Sequence, residues 1–344
     1  MSDAAPTGLL LVNLGTPDDP SEAAVRRYLR EFLSDPRVVD LSPVARWLLL
    51  HFVILPLRPA KSAEAYRKIW TEAGSPLLVH GRALADGVQA RLGSRWQVRL
   101  AMRYGSPSIP EALDAFEAEG IHRIVLFPLF PQYASSTTGS AVQRTFEAAA
   151  DREIVPAISV VPPFFADAGY LESQAALARE AMARKAPEHV LFTFHGLPIR
   201  QVKKADLTGA HCLEQPGCCE VEQPANRMCY RRHCFETARA LAERLELDAG
   251  RWSLAFQSRL GRAAWLEPYT VDALTELARS GIRSVLVVAP SFVADCLETL
   301  EEIGLRGAEV FRQAGGEHFQ LVPAVNASEG FVETVARLAE AMAP

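Results

Sequence analysis

Two groups of residues in this chain have the types and the spacing to do chemistry. The first is a row of carboxylates, Asp295, Glu298 and Glu302, in the stretch Asp295-Cys-Leu-Glu-Thr-Leu-Glu-Glu302. At i, i+3 and i+7 they project from one face of a helix. Carboxylates suit a hard divalent cation and can relay protons. Acidic groups in first helical turns also complement the helix dipole, which alone would account for them. His195 closes the apolar run before Gly196-Leu-Pro198. A lone histidine at a strand end is usually a hydrogen-bonded structural residue. One that faces a carboxylate row is a better candidate for metal binding or proton transfer. The second group is the cysteines. Five of the six fall between Cys212 and Cys234, spaced Cys212-x5-Cys218-Cys219-x9-Cys229-x4-Cys234.

The elements that must position these residues repeat. Val285 to Ala289 reads as a strand buried on both faces, stopped by Pro290 and Ser291, with a helix from Asp295 carrying Leu297, Leu300 and Ile303 inward. The segment from Trp96 through Gly120 to Pro128 resembles the segment from Trp252 through Gly281 to Pro290. The first strand, Gly8 to Pro17, has a counterpart in His189 to Pro198, and both end in a Gly-x-Pro turn. This order predicts an α/β protein of two similar Rossmann-like or flavodoxin-like lobes, each a parallel sheet flanked by helices, with a ligand cleft between them. The expected boundaries are residues 1–165 for the first lobe and 166–327 for the second, with a cysteine-rich insertion at 203–234. A C-terminal helix in 328–344 is expected to pack back on the first lobe. The repeat puts His195 on the same sheet edge as the start of the acidic helix. Arg103 and Tyr104 take the matching edge of the first lobe. Hydroxyls in Phe130 to Gly139 sit where a helix begins, as a cradle for an anion or propionate or as helix caps. Phe292, Trp265 and Tyr104 make the expected site apolar and aromatic.

With 344 residues, nearly half of them apolar, and a net charge of −5, the chain has the composition of a soluble globular protein. No long basic run offers a surface for nucleic acid. The N-terminal Met-Ser-Asp-Ala-Ala-Pro is not a signal peptide, and no apolar run approaches the roughly 20 residues that span a bilayer. A cytoplasmic protein is expected, whose cysteines are thiols or metal ligands rather than disulfides. Residues 44–57 are unusually apolar. They read as a core helix, or as an apolar lip that touches a membrane or a flat hydrophobic ligand, with Arg46, His51 and Arg58 at its border. Adjacent side chains point apart in extended backbone, so Cys218 and Cys219 are not expected to ligate one centre together. The set taken is Cys212, Cys219, Cys229 and Cys234, with Cys218 able to replace Cys219. Nearby lysines and arginines favour the thiolate form.

Six stretches in one order carry a resemblance to a known family: residues 11–17, 102–107, 130–140, 194–198, 256–266 and 292–300. From Leu10 to about Ala327 the chain resembles the ferrochelatases, terminal enzymes of haem synthesis, with their chelatase fold. The resemblance implies a lyase that inserts Fe(II) into protoporphyrin IX and releases two protons. It places the essential histidine on His195 and the essential glutamate on Glu298, with Asp295 and Glu302 extending a metal or proton path. Arg103, Tyr104, Trp265 and Phe292 match positions that line the porphyrin, and Asn13 lies in a first motif resembling the protoporphyrin-using branch. Residues 44–57 match the segment by which the family meets membranes, implying peripheral contact at the inner membrane face. A homodimer is compatible with the family. Ser135 stands where animal members hold a cluster-binding cysteine, and Cys296, read as pocket lining, stands where they carry histidine. Some bacterial members hold a [2Fe-2S] cluster in an internal insertion, which the cysteine segment resembles; zinc suits the same thiols. The rival readings are a chelatase for coproporphyrin III or another tetrapyrrole and, in a different class, a haem or metal carrier of the same two-lobed fold.

Overall fold

The structure, a computed structural model, describes residues 6–259 and 263–343. Leu260 and Gly261 of the 256–266 motif, and residues 1–5 of the first expected lobe, lie outside the described residues. Strands β1 (Thr7–Gly15), β2 (Trp96–Tyr104), β3 (Arg123–Pro128) and β4 (Ala157–Val160) form one sheet in the order β2-β1-β3-β4. Strands β5 (His189–His195), β6 (Trp252–Gln257), β7 (Ser284–Val288) and β8 (His318–Leu321) form a second sheet in the order β6-β5-β7-β8. Every strand pair is parallel. The continuous apolar runs Leu9–Val12 and Val285–Val288 follow from this, because helices cover both faces of such a sheet and leave no polar side.

The repeated Gly-x-Pro turn has a physical cause. At the end of β1, Gly15 has φ +124°, and a Cβ there would stand 1.9 Å from the Tyr104 carbonyl oxygen of β2. Past the end of β5, a Cβ on Gly196 would stand 3.0 Å from the Gln257 carbonyl oxygen and 3.2 Å from that of Ser258. In both sheets the central strand leaves through a gap that only glycine fits.

The chain divides into two compact units. One holds the residues up to Phe130, Ser135–Pro162 and the stretch from Asn326 onward; the other holds Pro131–Ala134 and Pro163–Val325. The helix Glu329–Glu340 belongs to the first unit, where it lies on the helix Pro76–Leu92. A Cβ on Gly87 would stand 3.0 Å from Val332, and Arg91 Nη2 reaches Glu333 Oε1 at 2.8 Å.

Residues 44–57 are neither wholly core nor wholly surface. The helix Pro43–Leu49 runs into a π-helical turn, Leu50–Ile54, and a last short turn, Leu55–Leu57. Leu50, Ile54 and Leu55 pack inward with Leu33 and Val39, and Leu49 packs against them in part. The other face points out: Val44 is 69% exposed, Trp47 52%, Phe52 66% and Leu57 72%. Among the described residues no helix is long and apolar enough to cross a membrane.

Candidate functional site

In the second unit, chemistry-bearing side chains gather where β5 and β7 end. His195 is the last residue of β5 and pairs with Gln257 of β6. Its Nδ1 lies 2.7 Å from the carbonyl oxygen of Gly196. A carbonyl only accepts, so Nδ1 carries a proton, and in the neutral ring the lone pair is on Nε2. The backbone of His195 is held at both ends. Its N–H donates to Ser291 Oγ at 3.2 Å, and its carbonyl accepts from the Tyr230 hydroxyl at 2.7 Å. The rings of Trp265 and Phe292 each stand 6.5 Å from the imidazole, at steep angles to it. Trp265 is kept there by a β-bridge to Pro198 and by its neighbours, Ala264 and Leu266, bonding the backbone of Ile199 and Leu197.

The acidic stretch departs from the α-helix read from its pattern. Glu298–Gly307 is a π-helix of 10 residues, continued as an α-helix from Ala308 to Gln313. Such helices are rare and concentrate at functional sites. Asp295 precedes it and is buried. Its Oδ1 accepts from Thr299 Oγ1 at 3.0 Å and from the Ala324 N–H at 3.3 Å, so it ties the helix entry to the chain after β8. Glu298 and Glu302, both only partly exposed, stand four residues apart on this helix. Burial pushes the Glu298 carboxyl above the usual glutamate range, and the Glu302 carboxylate adds to this. The Cys296 thiol and His195 pull the other way without cancelling it. Glu302 accepts from Ser258 Oγ at 2.7 Å and pairs with Arg306 at 3.0 Å. Glu301, which the sequence did not single out, is buried with its carboxylate 2.8 Å from Arg306 Nε. Cys296 is a buried thiol hydrogen-bonded to Glu298.

In the first unit, Arg103 and Tyr104 share one buried carboxylate. Asp35 Oδ2 accepts from the Tyr104 hydroxyl and from Arg103 Nη2, each at 2.8 Å, and from Ser140 Oγ at 2.5 Å. Burial alone would raise the Asp35 pKa; the bonds from Ser140, the Arg37 N–H, Tyr104 and Arg103 outweigh it and hold it below the usual range. The guanidinium of Arg103 also covers the Tyr104 ring, 4.4 Å from its centre. Asp35 gave no signal in the sequence, since its side-chain partners Arg103, Tyr104 and Ser140 come from distant segments. Asn13 is buried, its Oδ1 accepting from the Leu14 N–H at 2.8 Å. Of the hydroxyls in 130–140, Ser135 meets Arg37 Nη1 at 2.7 Å and Thr138 is buried; Ser135–Gly139 is another π-turn.

All five clustered cysteines are buried and free of disulfides. Residues 205–229 form turns rather than helices or strands, organised by two polar side chains. Asp206 accepts from the N–H groups of Thr208, His211 and Cys212. Asn226 Nδ2 donates to the carbonyls of Cys218 at 2.8 Å and Val221 at 2.9 Å. Cys218 and Cys219 lie in a turn, with their sulfurs 3.9 Å apart. The extended-backbone argument against their sharing a centre therefore does not apply to this backbone. Cys229 hydrogen-bonds both Cys212 and Cys219, and Cys234 bonds the Tyr230 hydroxyl. Arg231 Nη1 stands 3.0 Å from Cys219 Sγ, and the Leu213 N–H points at Cys218 Sγ from 3.4 Å. Such donors support thiolate sulfur. Among the described residues no three His, Cys, Asp or Glu side chains converge as they would around one metal ion. Burial holds the Cys212 and Cys218 thiols above their usual range.

A profile of the ferrochelatase family matches residues 6–343. The chain is 44% identical over 333 residues to a ferrochelatase of Coxiella burnetii strain CbuK_Q154, covering 97% of this chain and 93% of that one. It is 44% identical over 328 residues to a ferrochelatase of Legionella pneumophila strain Corby, covering 95% and 97%. Among solved structures, its fold is similar to SirB from Bacillus subtilis with Fe3+, with a TM-score of 0.57 at 12% identity over 98% of this chain and 96% of that one. The sirohydrochlorin chelatase SirB from B. subtilis subspecies spizizenii with cobalt gives 0.56 at 10% identity, covering 98% and 95%. At such identities these two speak for the fold alone.

Proposed function

The chain belongs to the ferrochelatase family, a family of metal chelatases, and on that premise we infer that it inserts Fe(II) into protoporphyrin IX as the last step of haem synthesis. The observation that carries the reading to this chain's own residues is that His195 lies close enough to Glu298 to act on its carboxyl electrostatically. Insertion brings a divalent ion to the pyrrole nitrogens while two N–H protons leave. His195 offers a lone pair on Nε2 of its neutral ring, and the raised pKa of Glu298 suits a carboxylate that takes up protons. Glu302, held by Ser258 and Arg306, extends the acidic side, and Asp295 anchors the helix that carries both. Trp265 and Phe292 supply apolar ring faces beside the histidine for the macrocycle. In the first unit, Asn13, Arg103 and Tyr104 are proposed porphyrin contacts, and Asp35 keeps Arg103 and Tyr104 rigid. The test is purified protein with Fe(II) and either protoporphyrin IX or coproporphyrin III, followed as loss of free-porphyrin fluorescence. Faster turnover of protoporphyrin supports the reading. Preference for coproporphyrin would reassign the substrate, and porphyrin binding without turnover would favour a carrier.

The cysteine segment is proposed to hold a [2Fe-2S] cluster through Cys212, Cys219, Cys229 and Cys234, with Cys218 as the substitute for Cys219. The donor set fits. Its thiols are all buried, Cys229 touches both Cys212 and Cys219, Cys234 lies close enough to Cys219 to feel its charge, and Arg231 Nη1 stands 3.0 Å from Cys219 Sγ. The preference for such a cluster over zinc rests on the family resemblance, since the same thiols suit either. Bound there, such a group would cross-link a segment lacking regular secondary structure. Metal insertion moves no electrons, so the reaction itself needs nothing from it.

Residues 44–57 are proposed as a contact with the membrane surface, supported by the outward row of Val44, Trp47, Leu48, Phe52, Val53 and Leu57. Leu48→Asp with Phe52→Asp is expected to reduce sedimentation with liposomes several-fold while leaving circular dichroism unchanged, since both side chains face out. Leu49 is unsuited to this test because it packs on the core. Unchanged sedimentation with an intact fold would remove the membrane contact.

A further inference from the structure

The helix Tyr230–Arg244 starts directly after Cys229 and carries Cys234 one turn along. Between these two cysteines lies Tyr230, a buried tyrosine whose hydroxyl reaches from the cysteine pocket to the end of β5. It donates to the carbonyl oxygen of His195 at 2.7 Å, the backbone oxygen of the residue that ends β5. The same hydroxyl contacts Ser291 Oγ and the Cys234 thiol. Ser291 in turn accepts the His195 N–H at 3.2 Å. His195 is thus held from both sides, by a side chain rooted in the cysteine segment and by one on the turn that leads to the acidic π-helix.

The first turn of this helix has little freedom of its own. His233 donates from Nε2 to the Arg227 carbonyl at 2.7 Å and accepts the Tyr133 N–H at Nδ1 from 3.2 Å. Its ring lies flat on Phe165, with centroids 3.8 Å apart. Thr237, one turn further, bonds the carbonyl of Phe165 at 3.0 Å and Gln132 Nε2 at 3.1 Å. The far side of the turn is anchored in the fold, so the side that carries Cys229, Tyr230 and Cys234 is where a change in the thiol pocket is passed on.

We propose that Tyr230 and Ser291 are positioning residues for His195, and that Tyr230 is the link through which the cysteine pocket sets where that histidine stands. The proposal rests on His195 being the proton acceptor of metal insertion. A shift of about 1 Å in a reacting group can cost on the order of 10²-fold in rate. A single hydroxyl bond that fixes a strand end is enough to matter on that scale.

The experiment compares the purified holoprotein with Tyr230→Phe, Ser291→Ala, Cys234→Ser and the double variant Tyr230→Phe/Cys234→Ser. Turnover, porphyrin KM and metal content per chain are measured for each. Tyr230→Phe keeps the ring and removes only the hydroxyl. It is expected to lower kcat about tenfold, with KM within twofold of wild type and metal content unchanged. Ser291→Ala is expected to act in the same direction, and it serves as the reading if Tyr230→Phe does not fold. Cys234→Ser is expected to lower kcat in the wild-type background and to add less than twofold to Tyr230→Phe, since both act through one bond. Wild-type kcat in Tyr230→Phe, or in Ser291→Ala where the former does not fold, overturns the positioning role. Multiplicative losses in the double variant, or a silent Cys234→Ser, overturn the link to the pocket. Retained activity in His195→Ala would instead remove the reading beneath both.

Discussion

Replacing His195 by alanine is expected to lower metal insertion by about 10²- to 10⁴-fold while the protein still binds porphyrin. Glu298→Gln should do the same, because the amide keeps the shape of the side chain and loses the ability to take a proton. Porphyrin binding is expected to survive because both substitutions leave the proposed apolar faces, Trp265 and Phe292, in place. Quenching of porphyrin fluorescence separates the two effects: binding curves overlay while turnover is lost. The carboxyl of Glu298 also sets a pH signature. Burial, then the neighbouring Glu302, raise its pKa, so it keeps its proton to a higher pH than an ordinary glutamate. Activity that needs the ionised form is therefore lost, as pH falls, at a point above the ordinary glutamate range. Glu302→Gln removes one cause of the shift and should move that limb down. Near-normal turnover in His195→Ala or Glu298→Gln would remove the mechanism proposed for this edge.

Protein purified without oxygen is expected to be red-brown, with about two irons and two sulfides per chain. Cys229→Ser should bleach it, since that thiol touches both Cys212 and Cys219. The larger consequence is structural. Residues 205–229 have no ladder or long helix to hold them, so their order depends on the Asp206 and Asn226 bonds and on whatever joins the thiols. Removing the metal with a chelator is expected to make this segment the first site of proteolytic cutting, with both sheets still resistant. Stoichiometric zinc and no visible absorbance would exclude the cluster and leave the family assignment untouched.

Much of the architecture was legible because parallel sheets write themselves plainly. Leu9–Val12 and Val285–Val288 are apolar without alternation, which only a strand covered on both faces requires. Gly15 and Gly196 marked the repeat because a carbonyl of the next strand occupies the space of a side chain. The acidic stretch was harder. A π-helix uses the same residue types as an α-helix and differs in which carbonyl each N–H chooses, so Asp295 was read onto a helix that begins only after it. Residues 44–57 offered core and surface as alternatives and took both, since an apolar stretch hides which of its faces has a partner. Cys218 and Cys219 lie in a turn, where the alternation of extended backbone fails. The contacts of Tyr230 and Ser291 with His195 left no trace, although Ser291 was legible as part of a strand stop. Their partner is the backbone of His195, and a backbone group has no letter in the sequence.

The division of the chain at Pro162–Pro163 and again at Asn326 has a consequence for the order of events during synthesis. Domains ordinarily fold as units in the order they leave the ribosome. Here the earlier unit is completed last. Its helix Pro76–Leu92 waits for Val332 and Glu333, which are translated only after the whole of Pro163–Val325. Until then the nascent chain presents the apolar partners of the helix Glu329–Glu340 to water. The sheet that carries His195 has by that point every strand it needs. The half of the protein that holds the proposed proton acceptor thus has its whole chain made before the half whose first strand preceded it can be completed.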